Sequence, residues 1–313
     1  MPTSQSANDK FVIQTYGLTK RYGNVVAVDD LSLEILRGGV YGLLGPNGSG
    51  KTTTMGLLLG LLRPTSGNLS LFGSSERREA SLRRVGAIIE SPSFYPYLSG
   101  IQNLRYFQMI SGGDSEEELH HLITRVGLTG RGDHLFRTYS SGMKQRLGIA
   151  YALLGDPELV VLDEPTNGLD PEGMIEVRNL IKSLGDGNRT VLLSSHLLHE
   201  VEQVCDSVII ISKGRLVAQG EVSQLVATDG SQQVRANTTD NYKAWEILSG
   251  LDWVEDVAVH HDSLLVTVPL QRSAELTAAL ADADVYVSEL VPVRTSLEEY
   301  FLEVTKNEDE RPH

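Results

Sequence analysis

Short apolar runs separated by amphipathic stretches set the plan of this chain. Nearly continuous apolar runs at 40–44, 85–89, 159–162 and 190–194 have the length and composition of buried strands. Residues 11–15 and 68–72 also read as strands, and 31–35 alternates as a half-buried strand does. Apolar spacing predicts helices over 51–62, 101–110, 115–126, from about 140 to 150, and over 172–184. Glu116, Glu117 and Glu118 open the third of these, where carboxylates suit the helix dipole. Lys213-Gly214 between apolar runs at 208–212 and 215–219 is a two-residue hairpin signal.

After about residue 220 the pattern changes. Strands at 234–237, 254–260, 264–268 and 285–290 alternate with helices at 242–248 and 273–281, and a last helix covers 296–304. The order βαββαβ is that of a split-βαβ, ferredoxin-like sandwich. The expected organisation is therefore an α/β domain at 11–220 with a helical subdomain at about 91–151, and a small α+β accessory or regulatory domain at 221–305. Polar tails at 1–10 and 306–313 are expected to be disordered.

Bulk properties narrow the function. A formal charge of −14 over 313 residues argues against a nucleic-acid partner held through phosphates. The lone cysteine, Cys205, allows no internal disulfide and suits a reducing compartment. The polar N-terminus does not resemble a signal peptide, and no stretch approaches the roughly 20 apolar residues of a membrane helix.

The chemistry begins at Gly45-Pro46-Asn47-Gly48-Ser49-Gly50-Lys51-Thr52, between a buried strand and a helix. This is G-x-x-x-x-G-K-T, a phosphate-binding loop. Its glycines let main-chain N–H groups close around phosphate oxygens, and the helix N-terminus adds its positive end. Lys51 is placed to reach β- and γ-phosphates, and the Thr52 hydroxyl to ligate Mg²⁺.

Downstream, Asp163 and Glu164 end a buried strand, the end at which open α/β sheets bind ligands. Asp163 suits the Mg²⁺ site, and Glu164 a base or a group that orients the attacking water. His196 ends a further core strand and would lie along the same edge, near the γ-phosphate; the alternative is a capping or core histidine. His196-Leu197-Leu198-His199-Glu200 is not H-E-x-x-H, so a zinc site is not expected there. Tyr22, on a turn before the phosphate loop, is either an adenine-stacking aromatic or a solvent-edge tyrosine.

Tyr139-Ser140-Ser141-Gly142-Met143-Lys144-Gln145-Arg146, just before the acidic strand, resembles the signature of ABC-type ATPases. The resemblance covers about 11–220. It implies a P-loop NTPase core that binds ATP and Mg²⁺, with Tyr22 on the adenine, Thr53 beside the phosphates, Glu164 as catalytic glutamate and His196 as switch histidine. It further implies a homodimer formed on ATP binding. Ser140, Ser141 and Gly142 would contact the partner subunit's nucleotide, and the loop holding Asp170 would face the other subunit. Tyr139, Ser141 and Met143 depart from the usual Leu, Gly and Gln. Glu90 stands where the family has a glutamine that contacts Mg²⁺ and the attacking water, which resembles the bacitracin-resistance and lantibiotic-immunity subgroup. The end of the chain, 296–301, is similar to that of drug-export ATPases.

The family resemblance implies an ATP-hydrolysing subunit, peripheral on the cytoplasmic face of the cell membrane, that powers export of an antibiotic, peptide or amphiphile through a separate polytopic permease. The alternative is a soluble ABC-type ATPase acting on DNA, the ribosome or an assembly machine. The long coiled coils, zinc cysteines or tandem ATPase domains of such relatives are not seen in this sequence.

Overall fold

The structure is a computed structural model that describes residues 10–74, 78–89, 93–111, 115–185, 187, 189–226, 231–260, 262–293 and 296–309. It divides into two compact units, Met1–Val222 with Phe301–His313, and Ser223–Tyr300.

The first unit carries two sheets. Strands β1 (Phe11–Tyr22) and β2 (Val25–Leu36) form a long antiparallel hairpin, and β4 (Ser66–Leu71) pairs with the other edge of β1. Register shifts in β1, and a left-handed φ of 59° at Gly17 and 52° at Asp30, break the alternation. That is why each strand runs well beyond the segment its pattern predicts.

The second sheet has six strands, in the order β5 (Val85–Ile88), β6 (Leu159–Leu162), β7 (Thr190–Ser195), β3 (Gly39–Leu44), β8 (Ser207–Ser212), β9 (Arg215–Glu221). All neighbours are parallel except β8 and β9, whose turn places Lys213 and Gly214 at φ 49° and 81°. Two successive positive φ values are what a tight hairpin turn of type I′ requires. The parallel strands are buried on both faces, so they read as apolar runs without alternation. Ile13, Leu31, Leu43, Met55, Val161, Leu192 and Ile209 belong to the core cluster shared by the two sheets and helix α1 (Lys51–Leu58). Helix α1 stops short of the predicted residue 62 because the chain turns at Gly60, which has φ 73°. A short helix, α2 (Arg78–Leu82), precedes β5.

Helices α3 (Gly100–Ser111), α4 (Glu116–Arg125) and α5 (Ser141–Ala152) form the helical region. Phe94 is buried there, with Phe107, Phe136 and Tyr151 ring centroids 5.7, 5.1 and 6.2 Å away. Tyr95 and Tyr97 are exposed, so the aromatic turn is part core and part surface. Helices α6 (Pro171–Leu184) and α7 (Leu198–Val204) follow β6 and β7, and the short α8 (Val222–Leu225) follows β9.

The second unit runs β10 (Ser231–Thr238), α9 (Asn241–Ser249), β11 (Asp256–His260), β12 (Ser263–Pro269), α10 (Glu275–Ala281), β13 (Val287–Val293). Its antiparallel sheet has the order β11-β12-β10-β13. In that order β12, from the second βαβ half, lies between β10 and β11 of the first, and β13 pairs with the outer edge of β10, as in a split βαβ. Val234, Leu264 and Val266 pack with Ala244, Leu248, Leu276 and Leu280. The Trp245 indole N–H donates to the Val257 carbonyl at 3.1 Å, and the Arg272 guanidinium lies 4.4 Å from the Trp253 ring. Helix α11 (Leu297–Asp309) extends past Lys306, where a charged tail is expected from sequence.

Candidate functional site

Strands β6, β7 and β3 are neighbours, with Leu44 beside Ser195 and Leu162 beside Leu193. Three loops therefore leave the carboxyl edge of the sheet side by side: the glycine-rich loop, the acidic pair and the histidine. Asn47, Gly48, Gly50, Lys51, Thr52, Thr53, Glu164 and His196 line one cavity of about 530 Å³, together with Ala27 and Asn167.

Gly50 is dictated by geometry. Its φ is 102°, and a Cβ there would stand 2.4 Å from the Ala27 carbonyl of the β1–β2 hairpin. Gly45 meets a similar limit, since a Cβ would lie 2.3 Å from the Ile211 carbonyl. The Ser49 N–H donates to the Pro46 carbonyl at 3.1 Å, which closes the loop. The Lys51 ammonium, nearly buried, donates to the Gly45 and Pro46 carbonyls at 2.7 and 3.3 Å. Burial pushes its pKa below the ordinary lysine range, and the Glu164 and Asp163 carboxylates oppose that shift.

Asp163 is held from both sides. Ser194 Oγ donates to Oδ1 at 2.5 Å, and Thr52 Oγ1 donates to Oδ2 at 3.4 Å. The same Ser194 hydroxyl accepts the Glu164 N–H at 2.9 Å. Glu164 has φ 47°, a left-handed conformation that a side chain takes only when its surroundings hold it. Its Oε2 lies 2.7 Å from His196 Nδ1. The pairing of Thr52 and Asp163, one hydroxyl and one carboxylate at the loop mouth, is an oxygen donor set that fits Mg²⁺. The glycine cradle with Lys51 fits a phosphate chain.

Tyr22 stands exposed at the tip of the β1–β2 hairpin, with Lys20 Nζ 4.9 Å from its ring, and is not among the residues lining the cavity. Glu90 lies outside the described residues. Ser194 was not singled out by sequence, because a serine closing a buried strand looks like any strand terminus.

A model of the ABC transporter family matches residues 28–167. Bacitracin transport ATP-binding protein BcrA of Bacillus licheniformis is 39% identical, over 94% of this chain and 97% of its own. The ABC transporter ATP-binding protein YdbJ of Bacillus subtilis (strain 168) is 38% identical, over 94% and 95%. This chain belongs to the ABC transporter ATP-binding protein family. Its core also superposes on a solved ATP binding subunit of an ABC transporter with a TM-score of 0.60 and 30% identity, over 68% of this chain and 91% of that one.

In this ABC ATP-binding subunit the segment 139–146, which resembles the family signature, lines a different cavity from the glycine-rich loop. Ser140 is the N-cap of α5, its Oγ accepting the Met143 N–H at 3.3 Å. Ser141 lines a second cavity of about 340 Å³ with Phe94, Phe136, Lys144, Gly168 and others, and Gly142 is buried next to Gly173 of α6. Asn167 borders both cavities. Asp170 caps α6 by accepting the Gly173 N–H at 3.2 Å. Tyr139, unusual for the family signature, is buried with its hydroxyl donating to the Arg131 carbonyl at 2.7 Å. Burial pushes its pKa above the ordinary tyrosine range. That hydroxyl fills the space where a Cβ on residue 100 would stand 2.2 Å away, and residue 100 is a glycine. Arg146 secures α5 by donating to the Val126 and Gly127 carbonyls at 3.3 and 2.9 Å and pairing with Glu176 at 3.3 Å.

Proposed function

We propose that the chain hydrolyses ATP and powers export through a separate membrane permease, working as a homodimer at the cytoplasmic face of the membrane. The observation that carries this is the convergence of Lys51, Thr52, Glu164 and His196 on one cavity, with Asp163 bonded to Thr52. The loop amides and Lys51 bind the β- and γ-phosphates. Thr52 and Asp163 hold Mg²⁺, with Ser194 fixing the carboxylate, and Glu90 is assigned beside them by resemblance. Mg²⁺ neutralises charge on the phosphate oxygens when bound. Glu164 orients the attacking water and takes its proton as the oxygen bonds to the γ-phosphorus and the bond to the β-phosphate oxygen breaks. His196 keeps the Glu164 carboxylate aimed across their 2.7 Å contact. Tyr22 stacks on the adenine, and Thr53 contacts the phosphates.

Ser141 and the phosphate loop line different cavities of one chain, which supports a second copy supplying Ser140, Ser141 and Gly142, with Asp170 in the facing loop. The transport named in the BcrA relative supports a peptide antibiotic or similar amphiphile as cargo. Among the described residues no helix is long and apolar enough to cross a membrane, which supports a separate permease.

The test is phosphate release and ATP binding on purified variants. Lys51→Ala is expected to lose binding at micromolar ATP. Glu164→Gln is expected to bind ATP while turnover falls about 10²-fold or more, the scale for removing a general base. Wild-type turnover in Glu164→Gln would refute the assignment. Co-purification with a polytopic membrane protein checks the permease.

A further inference from the structure

Glu200 sits in α7, four residues beyond His196, and is only 4% exposed. Its Oε2 accepts the Thr166 hydroxyl at 2.6 Å, and Thr166 is itself 6% exposed. Its other oxygen, Oε1, is buried with no hydrogen-bond partner among the described residues. Arg178, Ser195 and apolar residues that include Ile181, Leu193 and Val201 line the small cavity that Glu200 and Thr166 border.

A buried carboxylate oxygen left without a partner costs stability. Packing alone would be better served by an apolar side chain of similar size. The placement suggests what the carboxylate does instead. Thr166 belongs to the turn that begins at Glu164, closed by the Asn167 N–H on the Glu164 carbonyl at 3.1 Å. Asn167, the next residue, borders both the phosphate-loop cavity and the signature-side cavity. The Thr166–Glu200 bond thus joins the segment that follows Glu164 to the helix that follows His196.

We propose that Glu200 is a positioning residue for hydrolysis: through Thr166 it locks the Glu164–Asn167 turn to the His196 segment and so sets the distance between Glu164 and His196. This rests on the reading that those two groups act at the γ-phosphate. The left-handed φ of 47° at Glu164 is a strained conformation, which the bonds to Ser194 and Asn167 hold locally and the Thr166–Glu200 bond ties to α7.

The test compares steady-state ATP hydrolysis and thermal unfolding of the full chain for Glu200→Gln, Glu200→Ala, Thr166→Val and the double variant Thr166→Val with Glu200→Leu. Glu164→Gln runs alongside. A misplacement of the reacting groups of about 1 Å costs up to about 10²-fold in rate. Glu200→Ala and Thr166→Val are each expected to lower kcat at least about tenfold with KM for ATP within about twofold. Glu200→Gln, whose amide oxygen still accepts from Thr166, is expected to retain most of the turnover. The double variant is expected to unfold no earlier than wild type while staying slow, which separates positioning from stability. Wild-type kcat in Thr166→Val, or rates in all variants that track their unfolding temperatures, would overturn the proposal and leave the reading of the site standing. A fully active Glu164→Gln would overturn both.

Discussion

Tyr139 shows how a single side chain is paired with its surroundings. Its hydroxyl reaches the Arg131 carbonyl at 2.7 Å in the space that Gly100 leaves free. Tyr139→Phe removes that bond, while the carbonyl still accepts the His134 N–H at 3.0 Å, and the expected cost is about 0.5–1.5 kcal/mol. Denaturant unfolding checks this; an unchanged midpoint would mean that another donor replaces the hydroxyl. The place of Gly45–Thr52 as a loop between a buried strand and a helix was legible from sequence, because its residue types stand at a fixed spacing. Ser194 and Glu200 were not. A serine at the end of an apolar strand and a glutamate in a short helix acquire their partners, Asp163 and Thr166, only through the fold.

At the scale of elements, runs of buried apolar residues gave β3, β6, β7 and β8 nearly to the residue, because a parallel strand covered on both faces has a simple pattern. The β1–β2 hairpin was read only in part. Its strands are 12 residues each and bulged, so the alternation that holds over 31–36 does not run their whole length. Helix α6 begins with a capping aspartate and a proline at its first turn, which fixes the start of the element that follows the Asn167 turn. Asp170→Ala removes that cap and is expected to destabilise the first unit by about 1 kcal/mol. Thermal unfolding reads it, and Asp170→Asn, which retains an acceptor, is expected to recover most of the loss.

Across the whole first unit, Glu158 links distant parts of the chain. It accepts from Arg84 at 2.5 and 2.7 Å, just before β5, and from Arg37 at 2.6 Å, just after β2. Hydrogen bonding from Arg84, then from Arg37, holds its carboxyl well below the usual 4.5, at about 2. A carboxyl depressed in the folded state stabilises it above the unfolded value, and that contribution is lost as pH falls from 4.5 towards 2. The side chain is 38% exposed, so solvent and salt weaken the effect. Wild type is therefore expected to lose stability more steeply than Glu158→Gln across that range, and less steeply in high salt. Parallel pH profiles for the two proteins would show the network to be energetically silent.

Both tryptophans of the chain, Trp245 and Trp253, lie in the Ser223–Tyr300 unit. One is fixed by a backbone carbonyl and the other by a guanidinium. Indole fluorescence is therefore a built-in reporter of the C-terminal unit alone, while far-ultraviolet circular dichroism weighs both. Following one melt with the two signals tells whether nucleotide added to the first unit is sensed by the second.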